Sequence, residues 1–300
     1  MTHNQVNLLN KSQTNRLLGY PPDARLLIIN ADDFGMCNAV NEAIMHVLKG
    51  GVVHSTTLMV PCPWALHAMR FLRENPGIPF GVHLTVISDP ADYRWGPVTS
   101  REKVPSLVDR AGFFYNFDAM PVLRAQAKLD QLDVEFRAQI EAVLAAGLKP
   151  THLDWHALRF GDRTDIFDLM IRLAKEYRLA LRVIGQPSIE KLQSLGFPTC
   201  DYDFLDSYGL DPVNKSGRYA QLLHELPAGL SEWAVHPGLD NAELLALEPA
   251  NNHERQTDYD FLISQAAKEI VKAEGIILLD YRALQAVWRR IDINKPRTGI

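Results

Sequence analysis

Two adjacent aspartates, Asp32 and Asp33, close the first strongly apolar run of the chain, Leu26-Leu27-Ile28-Ile29, and lead into Phe34-Gly35. Desolvating one carboxylate is costly, and two side by side repel each other unless a cation or a proton intervenes. The pair suggests a division in which one carboxylate holds a metal and the other handles a proton. Further along, His152, Asp154 and His156 alternate with Leu153 and Trp155. Residues two apart share a face of a strand, so two imidazoles and a carboxylate point one way. They read either as metal ligands with a carboxylate that fixes a tautomer, or as a hydrogen-bonded polar cluster. His83 stands in Phe80-Gly81-Val82-His83-Leu84, where Gly81 leaves room on the same face. His236 follows Trp233-Ala234-Val235 and precedes Pro237-Gly238. A histidine where a strand ends is well placed as a general acid or, more plainly, as a turn residue in contact with solvent.

Taken jointly, Asp33, His83 and His156 supply one carboxylate and two imidazoles, a set that suits one divalent metal ion with positions open for water and substrate. Asp32 then remains as base and His236 as acid. These are the parts that metal-assisted hydrolysis needs. Side chains of neighbouring strand residues diverge, so Asp33 is expected to face the metal and Asp32 the attacking water.

The elements that must position these residues alternate along the chain. Strands are expected at Leu26–Asn30, Val52–Val60, Phe80–Ile87, Thr151–His156, Leu181–Ile184, Glu232–Val235 and Ile276–Leu279. Between them lie helix-type patterns: Val40 to Leu48, with Asn38 as N-cap and Gly50-Gly51 as stop; Leu132 to Leu144; Ile166 to Tyr177; Phe261 to Val271; and Arg282–Arg290. Alternating β and α elements imply an α/β barrel or a parallel sheet, and the barrel is favoured because polar residues sit at the C-terminal ends of several strands. Residues 88–118 form a long excursion rich in Gly, Pro, Asp and Arg, with Trp95, Phe113, Phe114 and Tyr115 either stacking on a ligand or anchoring the loop.

Asn30-Ala31-Asp32-Asp33-Phe34-Gly35, Gly81-Val82-His83-Leu84, Thr151-His152-Leu153-Asp154-Trp155-His156 and His236-Pro237-Gly238 together resemble the YdjC-like carbohydrate deacetylases, in the same order and over residues 25 to about 280. The resemblance implies a modified (β/α) TIM-like barrel and one divalent metal ion, magnesium or zinc. It also implies hydrolysis of an N-acetyl group from an amino sugar such as an N-acetylglucosamine oligosaccharide. By position it makes Asp33, His83 and His156 the metal ligands, Asp32 the base, His236 the acid and Arg182 a residue at the substrate, with His152 and Asp154 beside the ligands. The sequence departs from the family pattern at Trp155, where a small residue is usual, at Ala157 and Leu158, where further histidines are usual, and at His54, where threonine is usual. Those changes bear on the pocket and leave two other readings open: a metal-dependent hydrolase of another bond, such as a phosphoester, or a non-catalytic sugar-binding barrel. No P-loop or phosphate-type arginine cluster supports the former.

Composition sets the frame. The 300 residues are 47% hydrophobic and 22% charged with a formal net charge of −5, which permits one large domain with a sizeable core. One barrel domain is expected over 23–300 after a lead-in at 1–22. No basic stripe points to nucleic acid. The polar N-terminus lacks the apolar segment of a signal peptide, and no apolar stretch is long enough for a bilayer, so neither membrane nor export is expected. Three scattered cysteines, Cys37, Cys62 and Cys200, fit a reducing cytoplasm. A homo-oligomer, such as a dimer, is left open. Arg255 and Asp258 at the entry to a late helix either reach the substrate or cap and solvate that helix. Asp201 and Asp203 read as structural.

Overall fold

The structure, a computed structural model, describes residues 13–89, 92–158 and 163–291. Residues 1–12 of the expected lead-in and 292–300 of the expected barrel domain lie outside them. Of the lead-in, Gln13–Leu18 is helix α1. It is docked: the Thr14 hydroxyl donates to the Thr199 carbonyl at 2.6 Å, and the Asn15 amide to the Ala24 carbonyl at 2.9 Å.

β1 (Arg25–Phe34) follows, buried on both faces from Leu26 onward, as its unbroken apolar run requires of a central parallel strand. Next come α2 (Asn38–Gly50), β2 (Ser55–Leu58), α3 (Ala65–Glu74) and β3 (Phe80–Leu84). After the long excursion stand α4 (Met120–Gln126), α5 (Leu129–Ala145), β4 (His152–Trp155), α6 (Thr164–Tyr177), β5 (Ala180–Leu181) and α7 (Gln186–Ser194). The chain continues through β6 (Leu205–Asp206), α8 (Lys215–His224), β7 (Gly229–Val235), α9 (Ala242–Leu247), α10 (Asn252–Ile263), α11 (Gln265–Ala273), β8 (Ile277–Leu279) and α12 (Tyr281–Arg290).

The strands run parallel in the order β5-β4-β3-β2-β1-β7-β6. β8 shares an edge of β1 with β2, pairing with Leu26–Ile28 while β2 takes the other half of that edge. Among the described residues no ladder joins β5 to β6, so the sheet curls into an incomplete barrel. The curl brings Arg182, directly after β5, against Glu232 on β7 and Asp32 on β1. The α/β modified barrel read from the sequence is the observed architecture.

Local differences have identifiable causes. Asn38 is the first helical residue of α2 rather than its cap. The orphan N–H groups of Asn38 and Ala39 donate instead to the Glu243 carboxylate, at 3.2 and 2.7 Å, from α9. The single helix expected over 261–271 is two, because Ser264 leaves the helical region and its hydroxyl accepts the Ala267 N–H to start α11. β5 ends at Leu181, and Asp201 and Asp203 lie in loops, where they hold the Leu230 and Gly185 N–H groups. The excursion is fastened rather than open. The Trp95 indole donates to the Ile87 carbonyl at 2.8 Å, and the buried Glu135 carboxylate on α5 accepts from Val98 and Thr99. Trp95 and Phe114 are buried anchors. Among the described residues no helix is long and apolar enough to cross a membrane.

Candidate active site

The aspartate pair sits on a backbone irregularity. Between Ala31 and Phe34 the pairing of β1 with β2 slips by one residue, and Asp33 adopts a left-handed backbone (φ 69°). Regular alternation would send Asp32 and Asp33 to opposite faces; the bulge re-aims Asp33 so that both carboxylates line one cavity of about 470 Å³. The expected divergence of the two side chains is therefore replaced by convergence from different directions. Aspartate tolerates the left-handed region better than most residues, which suits it to this position.

Asp32 is gripped by Arg182 through two parallel bonds, Oδ2 to Nη1 at 2.7 Å and Oδ1 to Nη2 at 2.9 Å. Asn30 donates to Oδ1 at 2.6 Å. Burial alone would push the Asp32 pKa up, but the Arg182 guanidinium, helped by His83 and His236, outweighs it and holds the group well below the usual carboxylate range. Arg182 is itself buried and also meets Asp154 at 2.8 Å and Glu232 at 2.7 Å. A guanidinium with three carboxylates around it is committed to the protein.

Asp33 Oδ1 lies 3.1 Å from His156 Nδ1 and 3.5 Å from His83 Nε2, while its Oδ2 accepts from Arg255 at 2.9 Å. The outer nitrogens of both imidazoles face further carboxylates: His83 Nδ1 meets Asp154 at 2.7 Å, and His156 Nε2 meets Asp89 at 2.8 Å. These partners fix the rings and add basicity. Burial works against protonation of His83, yet Asp154 and its neighbours push its pKa up to about 9; His156 is raised likewise against burial by Asp89 and Asp33.

Two sets of three among the described residues bring ligand-type atoms within 4.8 Å of one another: Asp33, His83 and His156, and Asp32, His83 and Asp154. The first fits a divalent cation better. Asp33 Oδ1, His83 Nε2 and His156 Nδ1 face each other, whereas the oxygens of Asp32 and Asp154 are already taken by Arg182 and His83. One oxygen and two nitrogen donors suit zinc and also accommodate harder divalent ions.

His236 stands on the opposite wall, directly after β7, half-buried. Its Nδ1 is 2.8 Å from the Ser207 hydroxyl, its ring lies on Tyr208 with centroids 4.3 Å apart, and its backbone N–H donates to Asp258 at 2.8 Å. His152, expected beside the ligands, does not touch them. It sits deeper in the barrel, stacked on Tyr281 at 3.6 Å, where burial keeps it neutral. His54 is exposed, with Nδ1 on the Val52 carbonyl. Trp155, Ala157 and Leu158 line the cavity, and Ala157 takes a left-handed backbone (φ 52°) beside His156.

Arg255 and Asp258 do not solvate their helix. Arg255 is 1% exposed and bridges Asp33 to Glu248, and Asp258 is fully buried beside Lys215. Asp89, Ser207, Tyr208, Glu232 and Glu248 were not singled out from sequence. Glu232 alone carries a signal there, a charged residue inside the apolar run of β7. Of the aromatic candidates in the excursion, Trp95 and Phe114 are buried and Phe113 packs under Arg94. Phe117, 52% exposed, lines the mouth instead.

Comparison with known proteins places the chain among related sequences and folds. A carbohydrate deacetylase from Thermoanaerobacter pseudethanolicus is 28% identical over 87% of this chain and 100% of its own length. A chitooligosaccharide deacetylase from Yersinia enterocolitica is 28% identical over 86% of this chain and 98% of its own. The crystal structure of a protein from Enterococcus faecalis V583 superposes with a TM-score of 0.76 at 30% identity, covering 87% of this chain and 99% of that one. The family model described as "YdjC-like protein" matches residues 26–273. With its barrel, its paired aspartates and its carboxylate-backed histidines, this chain belongs to the YdjC-like protein family.

Proposed function

We propose that the protein is a metal-dependent hydrolase that removes an N-acetyl group from an amino sugar or a short N-acetylglucosamine-type oligosaccharide. The observation that carries the reading is the meeting of Asp33, His83 and His156 in one cavity with Asp32 on one wall and His236 on another. The names of the relatives from Thermoanaerobacter and Yersinia support the substrate class.

A divalent ion, magnesium or zinc, held by Asp33, His83 and His156 would polarise the acetyl carbonyl and lower the pKa of a water. Asp32, kept ionised by Arg182, accepts the proton of the attacking water. Arg182 acts through Asp32: its bidentate grip fixes the direction of the carboxylate. That replaces the expected role of Arg182 at the substrate with one of positioning. His236 donates a proton to the leaving nitrogen. Phe117, Phe204 and Tyr208 give the cavity aromatic faces of the kind that match the C–H face of a pyranose. The two arginines among the described lining residues, Arg182 and Arg255, are both held by carboxylates, which favours a neutral amide over a phosphoester.

Asp32→Asn tests the reading. The variant is expected to retain metal by elemental analysis and to lose about 10²–10⁴-fold in acetate release, the usual contribution of a positioned base. His83→Ala is expected to lose both metal and turnover. Full activity in Asp32→Asn removes Asp32 from the mechanism; release of phosphate rather than acetate across a substrate panel replaces the reaction class.

A further inference from the structure

Asp33 is not free to turn its carboxylate. Its Oδ2 accepts from Arg255 Nη2 at 2.9 Å, which leaves Oδ1 as the oxygen that faces His156 Nδ1 at 3.1 Å and His83 Nε2 at 3.5 Å. The guanidinium is itself held by Glu248, from Nε to Oε2 at 2.5 Å and from Nη2 to Oε1 at 3.2 Å. Glu248 follows the end of α9, Arg255 lies near the start of α10, and both side chains are buried. Gly238, two residues after His236, admits the arginine. A Cβ there would lie 3.0 Å from Arg255 Cβ and 3.1 Å from its Cδ, and the Gly238 N–H donates to the Arg255 carbonyl at 3.1 Å. The glycine of His236-Pro237-Gly238 therefore makes room for the residue that grips Asp33.

We propose that Arg255 and Glu248 are positioning residues for cation binding: Arg255 fixes the direction of Asp33, and Glu248 cancels the charge that Arg255 brings. The two roles need each other. A guanidinium bonded to a ligand carboxylate repels a divalent ion held by that carboxylate, and in a buried site water screens the repulsion poorly. Asp33 with Arg255 alone is a neutral pair and a poor partner for a cation. With Glu248 the three groups keep one negative charge, and the guanidinium still supplies direction. Arginine suits the place because its planar fork meets Glu248 through two nitrogens and reaches Asp33 as well. An ion pair kept only for the fold would depend on its shape and its hydrogen bonds, not on the net charge it leaves beside Asp33. That difference is open to measurement.

The proposal rests on the divalent site read at Asp33, His83 and His156, and zinc affinity tests it rather than turnover. Metal-free protein competes with a chromophoric chelator for Zn²⁺, and the site is identified by its loss in His83→Ala. Glu248→Gln keeps the shape and removes the charge, so its zinc dissociation constant is expected to rise at least about tenfold. Glu248→Asp keeps the charge and alters the shape, and should stay within about threefold of the wild type. Adding Arg255→Gln to Glu248→Gln restores the net charge and should recover most of the lost affinity. A purely structural pair gives the opposite order, with aspartate as harmful as glutamine and the double variant worse than either. That order overturns the proposal, and so does wild-type zinc affinity in a folded Glu248→Gln. If Glu248→Gln fails to fold, Glu248→Asp decides, a loss of more than about threefold overturning the proposal. A wild type that binds no zinc at this site overturns the proposal and the metal-dependent reading together. One that binds zinc with the expected order of variants and releases no acetate counts against the proposed function alone.

Discussion

Gly81 offers the sharpest test of how the barrel supports its cavity. A Cβ at this position would lie 2.6 Å from Cε1 and Nε2 of His152 and 2.8 Å from its Cδ2, well inside van der Waals contact. The ring cannot retreat, because Tyr281 is stacked on its far side at 3.6 Å and Thr151 is hydrogen-bonded to its Nδ1 at 3.0 Å. Overpacking of this kind costs about 1–3 kcal/mol. Restricting the unfolded chain by Gly→Ala returns about 0.4–1 kcal/mol, so a net loss of about 1–2 kcal/mol is expected. At roughly 2–4 °C per kcal/mol for a chain of this size, the melting temperature should fall by about 2–8 °C. The effect should also reach turnover. Tyr281 donates to Glu232 at 2.6 Å, Glu232 holds Arg182, and Arg182 holds Asp32. On the proposed function, displacing His152 should therefore disturb Asp32 from behind and lower turnover while leaving metal content unchanged. Urea unfolding of Gly81→Ala, His152→Ala and the double variant gives the interaction energy directly. In the His152→Ala background the added methyl should be neutral or stabilising. Equal destabilisation in both backgrounds would refute the argument that the glycine exists to admit the imidazole.

Arg255→Leu leaves Asp33 and Glu248 buried without their cation, so it should lower stability by about 3–5 kcal/mol in the presence of chelator and by clearly less with saturating divalent ion, compared by denaturant melts. Phe117→Ala should raise KM for an oligosaccharide by about 3–10-fold with little change in kcat or melting temperature, as expected of a ring that stacks on a sugar; an unchanged KM would remove it from the binding surface. His54→Ala should leave kcat/KM unaltered and stability within about 0.5 kcal/mol, since the side chain is exposed and touches only a local carbonyl.

What could be read before the structure was what patterning encodes. The unbroken run at Leu26–Ile29 is a strand buried on both faces, and alternation at residues 151–156 sets Asp154 behind His83 and brings His156 to the cavity. Alternation also misled: it grouped His152 with them, although the ring sits deeper, in the space left by Gly81. It said nothing of the bulge at Asp33, because the slip in pairing with β2 is a property of two strands together. The partners of Arg182 and Arg255 became legible only when the barrel brought positions 150 and 222 residues apart into contact. Lys215 carries no signal at all in its own neighbourhood, since its charge is explained by Asp258 on another helix. The helices α1, α3, α4, α7, α8 and α9 went unread, and with them the support behind His236.

The left-handed backbone at Asp33 also bears on how such a site can decay. Few side chains accept that conformation readily: glycine, asparagine and aspartate lead. Drift at position 33 is therefore channelled by sterics, and the substitution least damaging to the fold is asparagine, one nucleotide away from aspartate. It keeps the bulge and the shape of the cavity wall, and it removes the negative charge that faces His83, His156 and Arg255. A descendant that abandoned the chemistry could thus remain well folded and still look, strand by strand, like its active parent. The identity of this one residue would separate the two more reliably than overall similarity.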